Sequence, residues 1–204
     1  SGREIRELDR VNSVQGNYIQ LTIDSELQKF CYERLKGLSG SVSVINVKNG
    51  EFYALASSPS YDPNIFSKSI SNETWENLLS DKYKPLINKS ISNQYPPGST
   101  IKPFVALAAL ESGVSHKETF FCDGKHLIED TSLDSGYKTF HCWKKEGHGN
   151  VDMTKAIKVS CDVYFYQISR RIGINKIAEV CKRYGLGKKV FKSLYEEKSG
   201  VVPN

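Results

Sequence analysis

The octapeptide Pro96-Pro97-Gly98-Ser99-Thr100-Ile101-Lys102-Pro103 leads from two rigid prolines and a glycine into an apolar run at residues 104–110. Proline costs little in the first turn of a helix, where its missing N–H has no partner to lose. The run therefore predicts a helix over residues 99–110, with Gly113 as its C-cap. Ser99 and Lys102 then stand three residues apart on one helical face, with Cβ atoms about 5–6 Å from each other. A serine hydroxyl is a weak nucleophile without a base beside it, and a lysine amine at this spacing can reach the serine oxygen. Lysine serves as a base only where burial or positive surroundings favour its neutral form. The helix N-terminus supplies positive potential and free N–H groups for an oxyanion. The same four letters also occur where serine merely caps a helix and lysine is solvated, so the tetrad needs its context.

Working outward, residues 18–23 alternate in a β-rich pattern and predict a strand, and Asp24 caps a helix over about 25–38. Residues 40–47 and 51–57 flank Asn49-Gly50 and predict a hairpin. Asn72 is expected to cap a short helix anchored by Trp75, and residues 80–98 are irregular. Residues 114–150 lack a clear period and hold all four histidines and two of the five cysteines, so a loop-rich insertion is expected there. Helices follow at about 152–159, 161–172 and 175–184, closed by Gly185-Leu186-Gly187. Ser160 reads as the N-cap of the second of these, with Asp162 in its first turn.

The composition is that of an ordinary globular chain. Its 204 residues carry 28 Lys and Arg against 23 Asp and Glu, a net charge of +5, with 39% hydrophobic residues. Disordered, collagen-like and coiled-coil classes are excluded. So mild a positive balance does not call for nucleic acid. The uncharged apolar run at residues 103–110 is far shorter than the roughly 18 residues of a membrane span. Ser1-Gly2-Arg3-Glu4 is polar, so no targeting signal is read from it.

Three segments, in order, resemble the penicillin-binding transpeptidases. The octapeptide around Ser99 resembles their active-site segment, with Lys84-Pro85-Leu86-Ile87-Asn88 upstream in keeping. Gln20-Leu21-Thr22-Ile23-Asp24 with Leu27-Gln28 resembles the opening of the transpeptidase domain, and Ser160-Cys161-Asp162 the second catalytic motif, Ser-x-Asn or Ser-x-Asp. The likeness covers nearly the whole chain and is strongest to the elongation-type class B enzymes, penicillin-binding protein 2. It implies an α+β domain of helices packed on an antiparallel sheet, with its C-terminal part missing. Residues 1–17 would be a linker from a non-catalytic region, and 18–204 the N-terminal portion of the transpeptidase domain. It also implies Ser99 as nucleophile, Lys102 as base, Ser160 as proton shuttle and Asp162 as its partner. Lys198-Ser199-Gly200 spells the family's third motif, which binds the substrate carboxylate. It lies close behind the last helix without β-rich flanks, inside a Glu197-x-x-Gly200-x-x-Pro203 pattern that in the family precedes the true motif. It is read as a coincidence of letters, and the fragment alone is expected to be inactive.

Cys122, Cys142, His148 and Cys161 form a Cys3His set suited to tetrahedral zinc. Their gaps of 20, 6 and 13 residues match no standard finger. A structural zinc, a Cys122–Cys142 disulfide and unlinked thiols all remain open, and His126 and His141 rival Cys122 as the fourth ligand. The resemblance favours zinc, since some elongation-type relatives carry one here. Cys31 and Cys181 fall on apolar helix faces and read as core. The resemblance further implies cross-linking of peptidoglycan stem peptides through a serine acyl-enzyme during cell elongation. It implies acylation by β-lactams, work beside a glycan polymerase and scaffold proteins, and a place on the periplasmic face of the inner membrane, with the anchor helix outside this chain. The rival readings are a D,D-carboxypeptidase or β-lactamase-like hydrolase, a non-catalytic penicillin sensor, and an unrelated zinc-stabilised binding module.

Overall fold

The computed structural model describes residues 12–67, 69–191 and 194–203. It divides into two compact units between Ser90 and Ile91. Most of the predicted 1–17 linker lies outside the described residues.

In the first unit, helix α1 (Ser25–Arg34) packs on an antiparallel hairpin of β1 (Gly40–Ile45) and β2 (Phe52–Ser58). Asp24 caps α1 through the Leu27 N–H, as expected, but the helix stops earlier than residue 38, because Gly37 takes φ +79°. Cys31, Ala54 and Ala56 form the small core, with Leu27, Leu35, Val42 and Val44 against it. The Gln28 side chain clasps the outer edge of β2. Its amide nitrogen donates to the Leu55 carbonyl at 2.9 Å and its oxygen accepts the Leu55 N–H at 2.7 Å. The strand predicted at 18–23 does not form: Tyr18 and Ile19 are exposed, and the segment meets β2 only near Thr22 and Asp24. Alternating β-formers need a ladder partner, and here the clasp by Gln28 occupies the edge. Helix α2 (Asn72–Ser80) is capped by Ser71 rather than Asn72, and Trp75 meets the Phe66 ring edge-on.

Among the described residues the second unit is built from four helices and two short ladders. A 3-10 turn (Gly98–Ile101) runs into α3 (Lys102–Glu111), and Gly113 with φ +84° ends it. The segment expected to be loop-rich instead holds four strands. These are β3 (Phe120–Cys122), β4 (Lys125–Glu129), β5 (Tyr137–His141) and β6 (Gly149–Val151). β3 pairs with β6 and β4 with β5, both antiparallel, so among the described residues the strands form three separate two-stranded ladders rather than one sheet. Helices α4 (Met153–Lys158), α5 (Asp162–Ile172) and α6 (Ile174–Arg183) follow. Val105, Ala108, Ala109, Met153, Ala156, Val163, Tyr164, Ile168, Val180 and Cys181 form one continuous core. Each large side chain buried there contributes roughly 1.5–3 kcal/mol. The small residues on the buried face of α3 let α5 approach closely, which carries the first residue of α5 toward the first residue of α3. Among the described residues no helix is long and apolar enough to cross a membrane.

Candidate active site

Ser99 lies exposed in the 3-10 turn, and Lys102, the first residue of α3, is only 8% exposed. The Lys102 ammonium donates to the Ser160 carbonyl at 2.9 Å, the Ser160 hydroxyl at 2.9 Å and the Asp162 Oδ1 at 2.6 Å. Its Nζ also stands 5.7 Å from the centroid of the Phe165 ring. The Ser160 hydroxyl donates in turn to Ser99 Oγ at 2.9 Å. The four residues singled out from the sequence therefore meet in one network. The expected direct link from Lys102 to Ser99 is replaced by one through Ser160. The three hydrogens of the ammonium are all drawn to the α4–α5 turn, which leaves none for Ser99.

That turn explains how Ser160 reaches its neighbours. It is not the N-cap of α5, a position Cys161 takes. Ser160 instead closes α4, with φ +51° in the left-handed region. The Ser160 N–H bonds the Ile157 carbonyl and the Cys161 N–H the Ala156 carbonyl, the paired pattern of a Schellman ending. Glycine is usual at this position, and a serine there costs about 1–2 kcal/mol. The left-handed backbone turns both the carbonyl and the hydroxyl of Ser160 toward Lys102, and strain of this kind is typical of functional turns.

Trp143, 65% exposed, makes two bonds into this turn. Its indole N–H donates to the Val159 carbonyl at 3.0 Å, and its backbone N–H to Asp162 Oδ2 at 3.1 Å. Nothing in the local sequence signals either contact.

Cys122, Cys142, His148 and Cys161 converge behind the same turn. One ligand atom from each lies within 4.8 Å of all the others. Strand register brings them there. Cys122 faces Gly149 across β3–β6, next to His148, while the Lys125–His141 pair and the bond from the Cys142 N–H to the Gly124 carbonyl draw in Cys142. Gly124 and Gly147 let the two turns touch backbone to backbone. A Cβ on Gly147 would stand 2.1 Å from the Cys122 carbonyl oxygen, and one on Gly124 would stand 1.9 Å from that of Lys145. His148 Nδ1 is 3.7 Å from Cys122 Sγ and 3.5 Å from Cys142 Sγ. The sulfur–nitrogen edge of a zinc tetrahedron is about 3.6 Å, so the residues present fit that ion. Burial pushes the Cys161 thiol up to about 12. Burial also acts to raise Cys142, but the N–H groups of Lys144, Asp162 and Val163 outweigh it and hold that thiol below its ordinary range. Burial, with Lys144 and Lys155 nearby, lowers His148. The rivals lie elsewhere: His126 on β4 stacks on Tyr166, and His141 is exposed at the end of β5.

Lys198-Ser199-Gly200 lies on no strand, and the Gln94 side-chain amide bonds the Ser199 carbonyl. Glu197 beside it is structural, its carboxylate accepting the Val190 and Phe191 N–H groups at 2.7 and 2.8 Å. A cavity of about 830 Å³ is lined by Pro96, Pro97, Ile101, Val105, Ile177 and Cys181 among others, but Ser99, Lys102, Ser160 and Asp162 are not on its wall.

Residues 40–204 match the penicillin binding protein transpeptidase domain, and the chain belongs to that family. It is 39% identical over 202 residues to the peptidoglycan D,D-transpeptidase MrdA of Haemophilus influenzae, covering 99% of this chain and 30% of the relative. A solved structure of penicillin-binding protein 2 from Helicobacter pylori superposes with a TM-score of 0.84 at 35% identity, over 95% of this chain and 36% of that one. A second, of the same protein in complex with MreC, gives 0.84 at 34%, over 99% and 37%. The chain thus spans about a third of the length of the relatives it matches. The α+β transpeptidase fold expected from the sequence is the fold these comparisons support.

Proposed function

We propose that this chain supplies the nucleophile and proton relay of a serine-type D,D-transpeptidase that cross-links peptidoglycan stem peptides during cell elongation. The observation that carries the reading is the line of two 2.9 Å links from Lys102 Nζ through Ser160 Oγ to Ser99 Oγ. Ser99 attacks the carbonyl of the penultimate D-alanine, and the peptide bond to the terminal D-alanine breaks. The Ser99 proton passes through Ser160 to Lys102 and returns by the same route to the departing amine. The amine of a second stem then attacks the ester, forms the cross-link and restores the Ser99 hydroxyl. At rest the donors run from Lys102 to Ser160 to Ser99, so attack requires Lys102 to release one proton to bulk solvent and the two hydroxyls to turn, Ser99 then donating to Ser160 and Ser160 to the neutral amine. Asp162, held by Trp143 on one oxygen and by Lys102 on the other, orients the amine along the relay. β-Lactams would acylate Ser99 and leave slowly.

The Cys3His cluster is read as a structural zinc site, because its four protein ligands leave no open position for substrate. The ion would brace the α4–α5 turn through Cys161 and supply no chemistry to the reaction. The parent is placed on the periplasmic face of the inner membrane, working with a glycan polymerase. The complex of the Helicobacter pylori relative with MreC suggests a scaffold partner of that kind.

Fluorescent penicillin labelling of the protein at full family length tests the reading. Label lost with Ser99→Ala supports it, and label that persists in that variant overturns it. Product analysis with an acceptor amine separates transfer from hydrolysis. The 204-residue chain alone should take little or no label, since no third motif is read in it.

A further inference from the structure

We propose that Trp143 is a positioning residue for acyl transfer, setting the reactivity of Ser99 through the turn that carries Ser160. The proposal rests on the acyl-enzyme reading above and adds a residue to it. Trp143 makes no hydrogen bond to Ser99 or Lys102 among the described residues. It instead grips both sides of Ser160: the Val159 carbonyl at 3.0 Å through the indole N–H, and the Asp162 carboxylate at 3.1 Å through its own backbone N–H.

Each contact has a physical purpose. Val159 is the C-cap of α4, where carbonyls lack helical partners. The indole N–H satisfies that carbonyl and holds the Val159–Ser160 peptide in the orientation that the φ of +51° requires. The backbone N–H takes Asp162 Oδ2 and leaves Oδ1 directed at Lys102. A residue 65% exposed is not retained for burial, so its two directed hydrogen bonds are its main contribution. The ring also meets His148 edge-on, with centroids 5.3 Å apart, which fixes it from the side of the Cys3His cluster. Without the indole N–H, Ser160 can relax toward ordinary φ, and its hydroxyl swings away from the line between Lys102 and Ser99.

The decisive variants are Trp143→Phe and replacement of Trp143 by 3-benzothienylalanine, which keeps the two-ring shape and deletes the N–H. Both retain the backbone N–H to Asp162. In the protein at full family length, penicillin acylation is resolved into noncovalent binding and the acylation rate constant. The expected result is that both variants lose about tenfold in the rate constant, as for one hydrogen bond of ordinary net strength. The binding constant and zinc content should stay unchanged, and the melting temperature should fall by only about 2–6 °C, as for one lost hydrogen bond. Wild-type rates in the benzothienylalanine protein, or a loss confined to noncovalent binding, would overturn the proposal. Loss of label with Ser99→Ala shows separately that the acyl-enzyme reading holds. A second arm needs no activity. In the 204-residue chain the indole N–H of Trp143 should exchange slowly with solvent by NMR despite its exposed ring, and rapid exchange would remove the bond on which the idea rests.

Discussion

If the Cys3His cluster holds zinc as proposed, replacing Gly147 by alanine should abolish metal binding without touching a ligand. Gly147 has φ +78°, and an added Cβ would stand 2.1 Å from the Cys122 carbonyl oxygen and 2.7 Å from the Asp123 Cα. Both are backbone atoms, so no side chain can swing aside. Relief to an ordinary contact near 3.2 Å requires the two turns to part by about 1 Å, while metal–ligand distances tolerate only about 0.2 Å. Cys122 and His148 sit on these two turns and must separate with them. Gly136→Ala is the matched control: its φ of +68° carries the same left-handed cost, but nothing lies within 4 Å of the new Cβ. That cost is about 1–2 kcal/mol. In a chain this long it lowers Tm by roughly 2–8 °C. The Gly136 variant should show that loss and keep one zinc per chain by elemental analysis. The Gly147 variant should lose the metal and melt well below it. Stoichiometric zinc in Gly147→Ala, with a melting temperature equal to that of Gly136→Ala, would refute the close-approach argument.

Three further outcomes are expected. Asp162→Ala leaves a nearly buried Lys102 ammonium without its carboxylate, 2.6 Å away in the native protein, and should cost about 3 kcal/mol in denaturant unfolding. Adding Lys102→Met should recover part of that loss, and strict additivity of the two would contradict the pairing. Gln28→Ala removes both clasps on Leu55 and should destabilise the first unit by about 1–3 kcal/mol, read from hydrogen exchange at the β2 amides. Unchanged exchange at Leu55 would count against it. Burial, aided by Arg170 and only partly offset by Asp123, holds His126 below its ordinary 6.5. The unfolded chain then binds more protons than the fold, so the His126 contribution is constant above pH 6.5 and falls as pH drops below it. His126→Phe should flatten that acid slope, and equal slopes in the two proteins would refute the assignment.

The helices were legible because their signals are local. Asp24, Gly113 and Gly185 mark ends that periodicity alone leaves vague, and the observed bounds fall close to the expected ones at α3, α5 and α6. The strands of 114–150 were not legible because they are three to five residues long and take their stability from ladder partners. At 18–23 the reverse holds: the letters say strand, and a glutamine from α1 occupies the edge they would need. The Cys3His spacing looked irregular because two ladders, and not one knuckle, bring its members together. Ser160 was recognised by motif, yet its left-handed backbone was hidden, since nothing in the letter marks a serine standing where glycine is usual. Trp143 left no signal at all, because its partners stand 16 and 19 residues further along the chain and meet it only when the chain folds back through β6 and α4.

The turn between α4 and α5 carries three demands at once, and their agreement is what gives the site its geometry. It must end a helix, which fixes the Ser160 and Cys161 N–H groups on Ile157 and Ala156. It must present a hydroxyl and a carbonyl to one ammonium, which needs the left-handed backbone at Ser160. It must also deliver the fully buried Cys161 sulfur to the Cys3His cluster. Because Ser160 and Cys161 are adjacent, a shift of the turn's backbone moves the hydroxyl and the sulfur together. The strain of about 1–2 kcal/mol at Ser160 is of the order of one or two hydrogen bonds, so removing any one of those around the turn shifts it toward an ordinary φ. On the proposed zinc and acyl-enzyme readings, a cluster drawn from the end of β3, the residues flanking β5 and β6, and Cys161 would brace the turn that presents Ser160, and the order of its ligands would become a condition on the reactivity of Ser99.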